Sequence, residues 1–243
     1  MKWILFSALL FTNFFVYGQN AGGFEFIINE NEGSRTITLR RYRGREQNLA
    51  IPEQINGIPV TSIGGDWYFD FEISSIYLPK TITSISSNVF TQWHNLSVIN
   101  VDGGNPVYYS ANGILFGKDN SIVHYPSAKK ETSYVIPNGI TKIGDDAFSH
   151  NNILTTVILP AGLKEIGNHA FYGSKNITSI DLPNSLEEIG MYAFYECSKL
   201  EIQFIPPSVK EIGYGAFYGC DLLSPIIRKN IESIGNWAFY EGR

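Results

Sequence analysis

Cysteine, histidine and charged residues are all scarce in this sequence. Its 243 residues include two cysteines and four histidines, too few for a disulfide-stapled scaffold or a multi-cysteine metal cluster. Charged residues make up 17% of the chain and the net charge is −5, whereas a nucleic-acid-binding domain is usually strongly basic. The composition therefore excludes a disulfide scaffold and argues against a nucleic-acid partner.

The sequence also lacks an apolar run of the ~20 residues that a membrane span requires. The shorter run 3–17 follows the basic Lys2 and approaches the small residues Val16 and Gly18, which is the pattern of a cleaved export signal. A buried N-terminal helix is the alternative interpretation. We predict a signal peptide over residues 1–18, cleavage before Gln19, and a protein that is secreted, extracellular or at the cell surface, without a membrane span.

A 23-residue repeat organises most of the remaining chain. Each repeat carries an aliphatic residue before proline, then isoleucine-glycine, then alanine-phenylalanine. The three pairs begin, respectively, at Ile136, Leu159, Leu182 and Ile205; at Ile143, Ile166, Ile189 and Ile212; and at Ala147, Ala170, Ala193 and Ala216. A shorter unit begins at Ile227, and looser copies begin near residues 51 and 78. Repeats of this size predict a stacked architecture.

The repeat predicts a mainly β solenoid. Segments 154–159 and 177–182 alternate apolar and polar residues near their ends, as short strands do. Proline ends each strand, and the isoleucine-glycine step permits a tight bend. A unit this small buries its apolar face only against its neighbours, so the repeated Ile, Leu and Phe should form internal ladders. Separate βαβ units would need about 30 residues each, and the stretch 167–174 is too short for their helix.

Two segments depart from the repeat. Residues 19–50 contain the apolar runs 24–28 and 36–39, which predict a β-hairpin that caps the first coil of a solenoid spanning 51–243. Residues 102–135 alternate aromatic runs with turn residues, and they predict an irregular insertion of two or three strands. This insertion is too aromatic to remain solvated, so we expect it to continue the stack.

The repeated Ile-Pro, Ile-Gly, Ala-Phe and Leu-Pro pairs, the opening segment 55–64 and the insertion segments 112–116 and 125–126 closely resemble the BspA-like leucine-rich repeat family. The resemblance covers residues 24–242. It implies a right-handed leucine-rich-repeat solenoid of the kind common in secreted and surface proteins of host-associated bacteria and some mucosal protists. The usual role in that family is adhesion to host matrix proteins or cells, and its pattern contains no catalytic residue.

Two residues depart from the family pattern near the end of the chain. Gln203 stands where neighbouring units have Val157 and Ile180, and Arg228 stands where proline is expected. The chain also ends without a recognisable polar final unit, which predicts either a missing coil or self-association through an uncapped end.

Candidate chemical sites are few. The four histidines occupy different repeat positions and lack partners at metal-ligand spacing, so we expect them not to converge: His94, His124, His150 and His169. The serines lie outside any nucleophile motif, and the glycines mark turns rather than a phosphate cradle. We predict no catalytic residue, no metal site and no cofactor.

Two acidic residues and the two cysteines have competing interpretations. Asp145 and Asp146 are interpreted as a solvated turn rather than a cation site, because the next repeat has Asn168 and His169 at those positions. Cys197 and Cys220 are one repeat apart, so the geometry permits a disulfide. Asparagine and serine fill the same position in earlier repeats, which indicates a slot for a small buried residue. The pairing stays open.

Three surface features are candidate partner-binding sites. A tyrosine follows the repeated phenylalanine in four units and predicts a stripe of phenols, tyrosine being enriched at recognition surfaces: Tyr172, Tyr195, Tyr218 and Tyr240. The alternative is that these rings only close the coil edge. An arginine cluster forms a positive patch that could hold sulfated glycans, or a solvated hairpin: Arg35, Arg40, Arg41, Arg43 and Arg45. The outward strand face carries mixed residues, including Ile158, Asp181, Ile202 and Phe204.

These features predict an exported, non-enzymatic binding or adhesion module that contacts a protein, such as a host matrix or cell-surface partner, through an extended solenoid surface. The alternative function is a targeting or scaffold domain of a secreted glycan- or protein-degrading system. In both cases many weak contacts at fixed spacing would provide the affinity.

Overall fold

The computed structural model describes residues 16–31, 33–65, 72–202, 204–220 and 230–240. Within these ranges it contains nineteen β-strands, one short 3-10 helix and no α-helix. The predicted β solenoid is confirmed. Most of the predicted leader, the departures Gln203 and Arg228, and the start of the last unit at Ile227 lie outside the described residues.

The N-terminal end is a three-stranded antiparallel unit that contains the predicted hairpin. Its second and third strands pair over their whole length, and the third continues the sheet by pairing in parallel with a strand of the first coil. The alternating residues Phe26, Ile28, Ile37 and Leu39 are buried, so one face of the hairpin covers the end of the core. The strands are β1 (Val16–Ala21), β2 (Phe24–Asn31) and β3 (Ser34–Tyr42). β1 therefore spans the predicted cleavage point.

The first coils stack short strands in parallel. One three-stranded sheet has the order β4-β7-β9, and a second set joins β6 to β3, β5 and β8. A 3-10 helix at Ser87–Phe90 forms the opposite side of a coil. The strands are β4 (Asn48–Ala50), β5 (Gln54–Ile55), β6 (Ile58–Ile63), β7 (Ser75–Leu78), β8 (Ser84–Ile85) and β9 (Val98–Val101).

The insertion forms three antiparallel strands that continue the stack. They are β10 (Tyr108–Ala111), β11 (Ile114–Gly117) and β12 (Ser121–His124), and β12 pairs in parallel with the next coil. The buried Asn105 fixes the start of the insertion. Its Nδ2 donates to the carbonyls of Pro79 and Ile82, and its Oδ1 accepts the amides of Val107 and Tyr108.

The regular coils follow in register. A ladder of two-residue strands runs parallel on one side, and β13 pairs with β15 on the other. Paired residues in the two-residue ladder are 23 positions apart from β14 to β18 and 22 apart between β18 and β19. The strands are β13 (Ser133–Val135), β14 (Lys142–Ile143), β15 (Thr156–Ile158), β16 (Glu165–Ile166), β17 (Glu188–Ile189), β18 (Glu211–Ile212) and β19 (Ser233–Ile234).

The predicted phenylalanine ladder fills the centre of these coils. Successive rings are nearly parallel, and their centroids lie 4.9, 5.1, 5.1 and 5.4 Å apart. The members are Phe148, Phe171, Phe194, Phe217 and Phe239. Such offset stacking adds to the free energy of apolar burial, so each coil stabilises the next one.

The glycine of the isoleucine-glycine pair has a different role from the one predicted. We expected it to permit a bend, but the left-handed backbone falls two residues later, at Asp146, His169 and Tyr192. A Cβ at Gly190 would lie 2.6 Å from the carbonyl carbon of Gly167. Glycine is needed because neighbouring backbones touch there.

A column of small polar side chains lies beside the phenylalanine ladder, and both cysteines belong to it. Ser174 Oγ donates to the carbonyl of Phe148 at 2.7 Å, and the thiols of Cys197 and Cys220 form the same contact one and two coils later at 3.0 and 2.9 Å. Both cysteines are free thiols in the structure. Burial raises the pKa of the Cys220 thiol to about 12, so both thiols have a structural role.

Candidate functional site

The four tyrosines of the predicted stripe stand in one column on the outside of the coils. Ring centroids of successive members lie 4.9, 4.8 and 5.5 Å apart, with interplanar angles of 5°, 16° and 30°. Tyr172 is half-buried and Tyr240 is 55% exposed. Because the rings stack face to face, the stripe presents ring edges and phenol groups outward at one per coil.

A second aromatic column, which the sequence analysis missed, runs beside the tyrosine stripe. It consists of His169, Tyr192, Tyr214 and Trp237, whose successive centroids lie 5.3, 5.2 and 5.4 Å apart. Three of the four have left-handed backbone. Their φ angles are 54° at His169, 53° at Tyr192 and 60° at Trp237. The signal in the sequence was a ring side chain two residues after three of the repeated glycines, 167, 190 and 235. Histidine, tyrosine and tryptophan do not by themselves indicate left-handed backbone.

The second column is interrupted at Gly215. In that coil the left-handed position carries no side chain, and the ring comes from Tyr214, one residue earlier. The ring of Tyr192 reaches over the vacant position, so that a Cβ on Gly215 would lie 2.8 Å from its Cε1. In this coil the second column is therefore offset by one residue along the sequence.

An open groove of about 310 Å³ lies between the two columns, which we call the aromatic groove. Its walls are set at a steep angle, because the rings of Tyr192 and Tyr195 are inclined by 77°. Trp237 closes one end and is 60% exposed. The lining residues are His169, Tyr172, Tyr192, Tyr195, Tyr218 and Trp237.

The surroundings of the aromatic groove carry little uncompensated charge. Lys175 and Glu196 form an exposed ion pair of 3.4 Å beside it. Burial raises the pKa of the Tyr172 phenol, with Glu196 adding to the effect. Burial lowers the pKa of His150, which stacks edge-on against Tyr172. The Tyr172 phenol and the His150 imidazole are therefore neutral near pH 7.

The expectation that the histidines stay apart is wrong for two of them. His150 and His169 both contact the ring of Tyr172, at centroid distances of 5.4 and 5.6 Å. His94 lies close enough to lower the pKa of His150. They converge because position 150 of one coil and position 169 of the next both face the same tyrosine.

His124 is isolated from this group and completely enclosed. Both ring nitrogens are buried without a hydrogen-bond partner, and the ring packs on Phe90 at 5.1 Å. Burial lowers the pKa of His124 to about 3, with the backbone of Asp146 acting in the opposite direction. This imidazole is a neutral core residue.

The two aspartates lie in a turn, as predicted, but they are not simply solvated. Asp145 Oδ1 accepts the amide of Asn168 at 2.8 Å, and Asn168 Oδ1 accepts the amide of Met191 at the same distance. Asp146 Oδ2 accepts the hydroxyl of Ser87 at 2.6 Å. The two residues are partly buried, so they connect coils.

Three of the five arginines in the cluster pair with two neighbouring glutamates. Arg43 Nε and Arg41 pair with Glu25, and Arg35 lies 3.1 Å from Glu30. These pairs form because β2 and β3 place acidic and basic residues opposite each other. The hairpin surface therefore carries both charges, and one carboxylate, that of Glu25, is shared by two arginines. Arg40 and Arg45 lie on the same exposed segment.

The outward strand face was predicted correctly for Ile158, which is 50% exposed, and for Asp181, but incorrectly for Ile202, which is 2% exposed. Ser179 pairs with Glu201, which is 22 residues later, whereas Thr156 pairs with Ser179 at 23. This one-residue slip turns Ile202 into the core position that Ile180 holds in the preceding coil. Phe204 is partly buried.

The described part of the chain contains no helix long and apolar enough to span a membrane. The same residues contain no cluster of three potential metal ligands.

Several solved structures share this fold. A leucine-rich cell surface protein from Faecalibacterium prausnitzii A2-165 is 18% identical, with 92% of each chain covered and a TM-score of 0.62. The pneumococcal vaccine antigen PcpA is also 18% identical, with 96% of this chain and 88% of that one covered and a TM-score of 0.60. A leucine-rich repeat protein from Bacteroides ovatus ATCC 8483 is 23% identical, with 90% and 61% covered and a TM-score of 0.50. A comparison with curated proteins finds no match.

The stacked strands, the internal ladders and these neighbours define a leucine-rich-repeat solenoid. Six copies of the BspA type leucine rich repeat region match residues 46–112 and 124–242, and the interruption between them falls inside the observed insertion. The chain belongs to the BspA-type leucine-rich repeat family. Repeat proteins of this family are typically non-enzymatic, and the architecture is that of a repeat-based binding module.

Proposed function

We propose that this chain is an exported, non-enzymatic module that binds an extracellular protein, such as a host matrix or cell-surface partner, through its outer aromatic face. The observation that supports this most directly is the tyrosine stripe with its second column. Eight aromatic or imidazole side chains stand on one side of four coils at a nearly constant separation.

Side chains this large on a solvent-facing edge are better suited to contacting a partner than to stabilising the fold. Tyrosine and tryptophan provide wide contact area with few rotatable bonds. The coils hold these rings at fixed positions because each ring stacks on the next, so little entropy is lost when a partner binds. A rigid row of weak contacts reaches useful affinity through their number.

The test is to remove two rings at the centre of the stripe and measure binding to a panel of purified matrix glycoproteins and collagens. We expect Tyr195→Ala with Tyr218→Ala to weaken binding at least about tenfold, as hot-spot tyrosines do, while circular dichroism shows a folded protein. The matched control is Tyr77→Ala with Tyr109→Ala, which removes two exposed tyrosines away from the stripe.

Replacing the same two residues by phenylalanine separates ring from hydroxyl. We expect Tyr195→Phe with Tyr218→Phe to keep the stacked column and to retain most of the affinity if the ring area provides the contact. An alanine double variant that melts much earlier while the folded fraction binds normally would show that the stripe only closes the coils.

A further inference from the structure

We infer that the aromatic groove binds a sugar ring of a neutral, linear glycan. The inference rests on the proposed role of the outer aromatic face as the contact surface, and it names the chemical group that one part of that face recognises. It concerns the groove beside Gly215 rather than the stripe as a whole.

The lining of the groove has the chemistry that a sugar ring requires. A pyranose has apolar C–H faces and a rim of hydroxyls, so it needs flat apolar walls with hydrogen-bonding groups at their edges. The groove has this combination, because the rings of Tyr192 and Tyr195 meet at 77° and the 60% exposed indole of Trp237 adds a third aromatic surface, so that phenol and indole groups line it. Sites for small organic ligands are typically aromatic concavities with few polar groups.

The charged groups around the groove favour an uncharged ligand. An anionic ligand would require free cations, but Lys175 beside the groove is already paired with Glu196. A quaternary ammonium would be favoured by a carboxylate in the lining, whereas the lining contains only imidazole, phenol and indole groups, and Asp146 is bound to Ser87. The groove is therefore suited to an uncharged ligand.

The spacing of the rings along the columns matches the repeat of a glycan. Rings along both columns repeat every 4.8 to 5.5 Å, which is close to the advance per sugar along an extended glycan. Side chains on one face of an extended peptide repeat at roughly 6.6 Å, twice the rise per residue of a strand. Successive coils therefore match successive sugars better than they match an extended peptide.

The experiment measures binding of cellohexaose, N-acetylchitohexaose and mannohexaose to the full chain by calorimetry. We expect at least one of them to bind, and Trp237→Ala to weaken that binding at least tenfold. Tyr77→Ala is the matched control, because Tyr77 is an exposed aromatic residue of an N-terminal coil that lies outside both aromatic columns and does not line the groove. We expect this variant to bind the oligosaccharide normally.

A second variant tests the groove while keeping every aromatic residue. The variant is Gly215→Asn, because asparagine tolerates left-handed backbone. The new Cβ would stand where the ring of Tyr192 lies and would displace that ring. We expect it to weaken oligosaccharide binding as Trp237→Ala does. Binding should also be unchanged between low and high salt, because an uncharged ligand experiences no screening.

The outcomes separate this inference from the proposed function. If none of the oligosaccharides binds, or if Trp237→Ala and Gly215→Asn bind them normally, the inference is wrong. Protein binding that still depends on Tyr195 and Tyr218 would then leave the proposed function standing. If the oligosaccharide binds through the groove and no matrix protein binds, the inference holds and the protein partner is wrong.

Discussion

The inner phenylalanine ladder and the outer tyrosine stripe are built from adjacent residues, yet they experience opposite environments. Phe171 is fully buried and Tyr172, the next residue, is half-exposed. Both columns stack with nearly the same separation, 5.1 Å between Phe171 and Phe194 and 4.9 Å between Tyr172 and Tyr195. Stacking by itself therefore does not tell a structural column from a contact surface.

The two columns differ in what their rings exclude from water. The phenylalanines lie among the repeated isoleucines and leucines in one continuous core, so each ring removes apolar surface that would otherwise be hydrated. The tyrosines and the second column lie at the edge of that core and are partly or largely exposed. The comparison predicts large folding effects inside and mainly binding effects outside.

The largest expected effect comes from removing an inner ring. We expect Phe194→Ala to reduce the free energy of unfolding by about 3–5 kcal/mol, the usual cost of truncating a buried aromatic residue. Denaturant unfolding measures it, with Tyr195→Ala on the neighbouring outer ring as the control. Equal losses for the two variants would remove the distinction between the columns.

A smaller effect is expected where neighbouring backbones touch. We expect Gly190→Ala to destabilise the fold by about 1–3 kcal/mol, typical of overpacking, because its Cβ would lie 2.6 Å from the carbonyl carbon of Gly167. Gly162→Ala is the control, since a Cβ there meets nothing within 4 Å. Thermal unfolding of both variants at one pH measures the difference. An unaffected Gly190→Ala would show that the coils can separate without cost.

A third effect depends on pH and concerns His124, a titratable residue of the core. Burial lowers its pKa from 6.5 to about 3, so between these values the unfolded chain binds a proton that the folded chain does not. Stability is then complete above pH 6.5 and falls as the pH decreases towards 3, by at most about 1.4 kcal/mol per pH unit from this residue.

The measurement for His124 is the free energy of unfolding from pH 7 to pH 4, compared between the natural chain and His124→Leu. We expect the variant to lose less stability on acidification, because leucine has no proton to gain. Parallel pH profiles for the two chains would contradict the burial of an unpaired imidazole.

Much of the fold followed from the sequence because its period is visible in residues that only a shared core explains. The hairpin, the stacked strands, the phenylalanine ladder and the tyrosine column each follow from apolar residues at regular intervals. Ile202 was assigned to the wrong face because a constant 23-residue spacing does not account for the pairing of Ser179 with Glu201, which occurs at 22 residues. The glycine role was misjudged because close contact between coils is invisible within one repeat.

The aromatic groove could not be predicted for a related reason. It depends on left-handed backbone at His169, Tyr192 and Trp237, which side-chain identity does not announce, and on the position where Gly215 has no ring. Likewise, Asp145 and Asp146 look like an exposed pair in the sequence, while their hydrogen bonds are to residues of other coils.

The sequence by itself determined the repeat length, the residues that face the core and the family to which the chain belongs, because burial of apolar groups at a fixed period leaves few other arrangements. Only the tertiary structure decided how the two aromatic columns are arranged, which charged side chains form ion pairs and which histidine is enclosed in the core. Those properties depend on distances between neighbouring coils, and such distances are set when the backbones pack against one another.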